Sequence, residues 1–570
     1  MIPAIECHSI GGVPVLRADA PADQVAACLM FRVGRFDETL PTSGVTHMVE
    51  HLALAGKTDA PYSFNASVDG RYTSFYMTSS DPSHVREFVA DVCSGLSGDQ
   101  SRVVEHERRI LRTEASSRGS AGPLGLCLGE RYGATGPGLT NYQEFGLQQL
   151  SWEWVRAWRS HWFTRQNAVL WIAGPWPDGL QLDLPAGTAP APRPLRPVDL
   201  DLPGYMIAGR GGIGLSLVGR RSVGWHACVE ILQRRLMQVL RHEFGLSYHV
   251  EATGNELSYD LMHTWLAADA LPDQLPMTAH SMLNTVEALA AGGCTETELA
   301  GCCERLSTGR MSHAGVLSML NRNAEAMLNG DASWDPDRDS RDAAGLTPWA
   351  ISEIARELHD RMIVVTPALL PAVQGRMKQL PAWSASAVTG SQYKAVDSNA
   401  VLTVGQEGVT LTAEPDHHVT VRFDDVVALL RWNDGKQAVV GADGFAVQLD
   451  PDEWPQGEWL LNAIASPISP DATVFIDDPG PRRLRWPAAA ASKPDQPGPA
   501  QASKSTPVRA AALPPLSWPA RIIRAVCVAL LIFGVLGSAG GAVAGGLVFV
   551  AIGVAGIAWQ ELARRRRRAS

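Results

Sequence analysis

The sequence predicts a mixed α+β chain of several units, and three observations carry that expectation. A helical segment ending near Leu54 gives way to the strand-like run from Phe64 to Tyr76, so helix and strand signals interleave early in the chain. Eight prolines between Pro175 and Pro203 interrupt regular structure and divide the body into two halves of about 175 residues. Beyond residue 400, short alternating strands separated by Asn433-Asp434-Gly435 and Asp443-Gly444 turns replace helical periodicity. At 570 residues and 45% hydrophobic content, the chain can bury three or four cores.

The first helix carries the most specific signal. His47, Met48, Val49, Glu50 and His51 read H-x-x-E-H, and positions i, i+3 and i+4 share one helical face, so two imidazoles and a carboxylate converge. Chance would supply only about 0.02 such strings in a chain of this length and composition. Thr42 or Ser43 is the expected cap of this helix, Val45, Met48, Val49, Leu52 and Leu54 its apolar stripe, and Gly56 its stop.

Zinc in a catalytic site takes three protein ligands and keeps a fourth position open, so a further donor must come from elsewhere. Val104 to Glu114 reads as a charged helix with Glu107 and Glu114 two turns apart on one face. With this second element the chain resembles the M16 metallopeptidase family (insulinase, pitrilysin, mitochondrial processing peptidase), whose pattern is H-x-x-E-H followed by E-R-x-x-x-x-x-E. The resemblance implies one Zn²⁺ per chain, held by His47, His51 and Glu114, with Glu107 orienting the site from behind and Glu50 as the catalytic base. From His51 to Glu114 is 63 residues, whereas the family usually leaves about seventy-five. The missing dozen falls between Lys57 and Tyr62, because the Asn65-Ala66 strand comes early by the same amount.

Other segments extend the likeness. Gly133-x-x-Gly136-x-Gly138-Leu139, the helix around Trp154 and Trp158, and Asn167 before the strand Ala168 to Ile172 follow the family's closing pattern for its first domain. Leu240 to Tyr248 is similar to its R-x-x-x-G-L-x-Y segment. The resemblance therefore implies that Asn65 and Ala66 align a peptide substrate by strand addition, and that Arg241 and Tyr248 bind it from the second half. It also implies two homologous α+β domains around a cleft, residues 1–175 with the metal and 204–385 without it, joined by a linker at 176–203.

The remainder is read from composition and pattern. Residues 395–485 form a small β-rich domain, vaguely like pleckstrin-homology or GRAM modules, with a closing helix at Gly457 to Ile464; His417-His418 reads as a solvated strand start. Residues 486–520, dense in Ala, Pro and Ser, are expected to be a disordered tether. From Ala525 to Trp559 there is no charge across 35 residues, about 52 Å as a straight helix against a hydrocarbon core of about 30 Å. Residues 521–570 are therefore expected to form a transmembrane hairpin turning at Gly537 to Gly541, with its arginine flanks on the cytoplasmic side.

Charge and cysteine usage narrow the partners. The net charge is −10, and with a basic tail the body is strongly acidic, which excludes a nucleic-acid binder. Nine cysteines without a C-x-x-C pair argue for a reducing compartment, and Met1 to Glu6 lacks the features of a secretory signal. The expectation is a zinc endopeptidase for peptides or unfolded segments, membrane-anchored with its catalytic body in the cytoplasm, as a homodimer or paired with another M16-like chain. Two alternatives stand beside it: a non-catalytic M16-like partner subunit, and a membrane-tethered adaptor working through its β-rich domain.

Overall fold

In the computed structural model, which describes residues 4–480 apart from 21–23, 58, 119–121, 210, 311, 332–337, 416 and 479, the two halves build the same sheet. The first half runs β1 (Glu6–Ile10), β2 (Val13–Ala18), β3 (Val25–Phe31), α1 (Val45–Leu54), β4 (Ser63–Val68), β5 (Thr73–Ser79), α2 (Ser83–Ser97), α3 (Val104–Arg118), α4 (Pro123–Tyr132), α5 (Trp152–Trp162) and β6 (Ala168–Ala173). The second runs β7 (Gly204–Ile207), β8 (Gly212–Arg220), α6 (Val223–Leu236), β9 (Val250–Glu256), β10 (Leu261–Asp269), α7 (Leu275–Gly292), α8 (Glu296–Arg310), α9 (His313–Leu328), α10 (Arg338–Ala344), α11 (Pro348–Asp360), β11 (Ile363–Thr366), α12 (Pro371–Gln374) and β12 (Lys378–Gln379). The sheet orders are β1-β2-β6-β3-β5-β4 and β12-β7-β11-β8-β10-β9. Five strands correspond in place and direction: β6 lies parallel to β2 and antiparallel to β3, just as β11 lies parallel to β7 and antiparallel to β8.

Each sheet is covered on one face by its own helices and on the other by a helix from the opposite half. In the first half Val25, Ala27, Leu29 and Phe31 of β3 face α1 and α2, while Ala26, Cys28 and Met30 face Val316, Leu320 and Ala324 of α9. All of β3 is consequently buried, which is why its sequence is apolar throughout and does not alternate. Reciprocally, Cys127, Leu128 and Tyr132 of α4 lie against Met206, Val218, Trp265, Ile363 and Val365 of the second sheet. Arg131 is buried in this contact and donates to Ser216 Oγ, to the Ser216 carbonyl and to the Arg361 carbonyl at 2.7–2.9 Å.

Helix α1 is placed by Val45, Met48, Val49 and Leu52, all buried, a burial worth on the order of 10 kcal/mol against exposure. Its cap differs from the sequence expectation. Thr42 Oγ1 bonds Thr39 and Ser43 Oγ donates to the Leu40 carbonyl, so neither caps the helix. The cap is Gly44 at φ 90°, and the buried Glu38 carboxylate accepts from Gly44 N at 2.9 Å and Thr46 N at 2.8 Å. An acidic group at the positive end of the helix does the work of the hydroxyl.

The proline-rich stretch is also less of a linker than its composition suggests. It has no helix or strand between residues 180 and 202, yet Leu180, Leu182 and Leu184 alternate into the first core, and Leu200 and Leu202 pack on the second sheet. Proline prevents ladder pairing without preventing an extended chain from burying every other side chain.

The third unit contains β13 (Ser391–Lys394), β14 (Val401–Val404), β15 (Gly408–Glu414), β16 (His417–Arg422), β17 (Val426–Trp432), β18 (Gln437–Gly441), β19 (Ala446–Leu449), α13 (Gly457–Ala465) and β20 (Thr473–Ile476). Two four-stranded sheets, β13-β14-β15-β16 and β19-β18-β17-β20, share a core with Leu460, Leu461 and Ile464 of α13. The unit starts at Ser391, with Ser384 and Val388 already bonded to it, instead of at 395. His417 is the first residue of β16, and its half-buried ring stacks on Trp383 at 4.6 Å. Among the described residues no helix is long and apolar enough to cross a membrane, and the tether and hairpin expected at 486–570 lie outside them.

Burial pushes the Glu38 carboxyl up to about 7 from its ordinary 4.5. The folded chain thus keeps a proton that the unfolded chain releases, and between these values stability falls as the pH rises. In metal-stripped protein Glu38→Gln should flatten that fall. Equal shifts of the urea midpoint between about pH 5 and about pH 7.5 in wild type and variant would contradict the assignment.

Candidate metal centre

Two helices and one loop assemble the centre. Helix α1 presents His47, Glu50 and His51 on one face, their ligand atoms all within 4.8 Å of one another. The imidazoles stand edge to face, with centroids 4.9 Å apart and ring planes at 83°. From α3, Glu114 Oε2 lies 3.7 Å from His47 Nε2 and 3.6 Å from His51 Nε2. A tetrahedral zinc with bonds of 2.0–2.2 Å separates its donors by about 3.4 Å, so the spacing of Glu114 from each imidazole suits a shared ion. Glu50 Oε2 stands 3.8 Å from both Nε2 atoms, beside the donor set.

The rear of each ring is held as well. His51 Nδ1 meets Glu107 Oε2 of α3 at 3.1 Å, and His47 Nδ1 meets Glu144 Oε2 at 3.2 Å. A carboxylate on Nδ1 favours the proton there and leaves the Nε2 lone pair directed at the shared point. Four carboxylates therefore surround two imidazoles, and Glu50, Glu107 and Glu144 are buried. Negative charge gathered out of water calls for a cation, and nitrogen with carboxylate oxygen is a donor set that zinc accepts.

The metal ligands expected from sequence are thus brought together, and so is Glu107. Glu144 was not expected: it lies 97 residues from His47, and a lone acid between the apolar Tyr142 and Phe145 is the only local signal. Asn65 and Ala66 sit on β4, the edge strand of the first sheet, as strand addition requires. Asn65 pairs across the ladder with Tyr76, and its Oδ1 accepts from Ala66 N at 2.9 Å. Burial raises the pKa of the Tyr76 phenol. Arg241 and Tyr248 are brought to each other, with the guanidinium 4.8 Å from the ring centroid and both side chains exposed on the second half. That segment begins as a π-helix, Met237–Glu243, and turns at Gly245, φ 62°.

No protein-family model matches the chain, and no curated protein matches it in sequence. In fold, its structural neighbours are M16-family peptidases. The first half of the periplasmic protease PqqL from Escherichia coli superposes with a TM-score of 0.52 at 14% identity, over 65% of this chain and 93% of that one. A protease from Helicobacter pylori gives 0.53 at 15%, over 64% and 100%. An inactive M16 peptidase domain from Pseudomonas fluorescens gives 0.52 at 16%, over 64% and 99%. These identities establish likeness of fold, and the neighbours include both proteases and an inactive domain.

Replacing Glu144 with Gln keeps the shape but removes the charge behind His47. Zinc affinity should fall about 10–100-fold in a chelator-competition titration, with the circular dichroism spectrum unchanged. Wild-type affinity in Glu144→Gln would show that His47 needs no such support.

Proposed function

We propose that this chain is a zinc-dependent endopeptidase that cuts peptides or unfolded segments. The observation that carries the reading is the approach of Glu114 Oε2 to His47 Nε2 and His51 Nε2 at 3.6–3.7 Å, with both Nδ1 atoms held by carboxylates. His47, His51 and Glu114 would hold the ion, which supplies a Lewis acid and makes water a nucleophile near neutral pH. Glu50 takes the proton of the attacking water and passes it to the departing amine. The edge of β4 adds the substrate backbone as a further strand, aligned by Asn65 and Ala66. Arg241 and Tyr248 contact the peptide from the second half, and the Tyr248 hydroxyl is available to the developing oxyanion.

The inactive domain among the structural neighbours favours a second reading, a non-catalytic partner subunit. The full set of His47, Glu50, His51 and Glu114 in this chain weighs against it. The adaptor reading, with the third unit as the working part, has no residue chemistry of its own to support it. We further propose that residues 525–559 anchor the chain with its body on the cytoplasmic side, and that it acts as a homodimer or beside another M16-like chain.

Glu50→Gln should bind zinc stoichiometrically and lose peptide hydrolysis by a factor of about 10²–10⁴ or more. A variant that cleaves an unfolded test polypeptide at the wild-type rate would remove Glu50 from the mechanism. Wild-type protein that takes up no zinc after stripping and reconstitution would favour the partner-subunit reading.

A further inference from the structure

The third unit contributes no ligand, yet it is built onto the part of the first half that supports the metal helix. Strands β17 and β18 alternate between two cores. Leu429 and Val439 face the unit's own core, whereas Ala428, Leu430, Trp432, Ala438 and Val440 face outward. That outer face is buried in one cluster with Leu40, Ala134, Leu139, Tyr142 and Phe145 of the first half. Leu40 lies between the Glu38 cap and α1. Tyr142 and Phe145 bracket Glu144, whose carboxylate holds His47 Nδ1.

Backbone contacts fix the same seam. Ala134 N donates to the Ala442 carbonyl at 3.1 Å. Gly133, at φ 60°, approaches so closely that an added Cβ would lie 2.0 Å from that oxygen, and Gly444, at φ 92°, would bring its own Cβ to 3.1 Å from Gly133 Cα. Two left-handed glycines let the turn after β18 meet the end of α4 backbone to backbone. Further along, Gln149 Nε2 donates to the Thr473 carbonyl at 3.1 Å. Arg112 pairs with Asp478 at 3.4 Å from a position on α3 between Glu107 and Glu114. That exposed pair adds little energy, but it touches the helix that carries the third donor.

We propose that this unit is a structural part of the metal centre: by clamping residues 133–149 it sets Glu144 as a positioning residue for His47, so metal affinity depends on a domain distant from every ligand in sequence. The inference rests on the peptidase reading of the site. An apolar face of this kind is an all-or-none support, because its residues leave water only when the seam is closed.

The test uses the full chain with Ala438→Glu, which places a carboxylate in the seam while leaving the unit's own core residues untouched. Trp432→Ala opens the same face by truncation and serves where the first variant does not fold. Zinc affinity is read by chelator competition for wild type, each seam variant, Glu144→Gln and the seam variant combined with Glu144→Gln. The expected result is a loss of at least about tenfold in a seam variant with an unchanged circular dichroism spectrum, and no further loss when Glu144→Gln is added. Wild-type affinity in a folded seam variant overturns the inference, and so do independent, multiplying losses in the double variant. Wild-type protein that binds no zinc overturns the peptidase reading along with it, whereas the other two outcomes leave that reading standing.

Discussion

Two carboxylates on the far side of two imidazoles are the constraint on which the centre depends. Helical spacing alone puts His47 and His51 on one face, but a histidine on a helix still has rotamers and tautomers to choose from. Glu107 and Glu144 remove both choices, each by one contact to Nδ1. The consequence is that Nε2 of each ring is directed at a point that Glu114 also reaches. The helix supplies the groups, and its surroundings make them a donor set. Those surroundings come from three places: α3 gives Glu107 and Glu114, the loop before α5 gives Glu144, and Trp158 of α5 donates from Nε1 to Thr46 Oγ1 to steady the first turn.

The same dependence on outside support recurs at the scale of whole halves. Neither sheet covers both of its own faces, since α9 closes the first and α4 closes the second. Across the joint, Arg71 of the first half bonds Glu256 at 3.1 Å and Asn329 at 2.7 Å, and within the second half Arg221 holds Glu256 at 2.7 Å and Glu325 at 2.8 Å. Buried charge pairs of this kind add little net stability, but breaking one leaves an uncompensated charge, so they select one arrangement of the halves over its neighbours. The apolar exchange of helices supplies the affinity and the ion pairs supply the register. For a reading in which β4 and the Arg241–Tyr248 segment act on one peptide, a fixed register between halves is the property required.

How far the sequence discloses this depends on whether the determining contact is local. The H-x-x-E-H face and the Glu107–Glu114 spacing are periodic features of single helices, and both are placed correctly from residue order alone. The repeated sheet was implied by resemblance, and the matching strand orders bear it out. Glu144 escaped because nothing within a helical turn marks it; only the fold brings it within 3.2 Å of a residue 97 positions away. The cap was misplaced for a related reason. Thr42 and Ser43 satisfy the local rule, but their hydroxyls are taken by Thr39 and Leu40, and a glutamate six residues before Gly44 does the capping. Strand β17 offers the sequence no alternation to show, because both of its faces are buried.

That absence of alternation bears on function. A small β-rich unit standing free on a tether would need only one apolar face per sheet, and its strands would alternate with polar residues outward. In β17 and β18 the outward residues are Ala428, Leu430, Trp432, Ala438 and Val440, an unbroken apolar surface. Such a surface is costly to leave in water and marks an obligate contact. The sequence of the third unit therefore records its partner as clearly as its own fold, and that partner is the segment from Ala134 to Phe145 behind His47. A module kept only for reach between a body and a membrane would have no reason to keep that face apolar. One that must stay seated for the centre to hold its shape would.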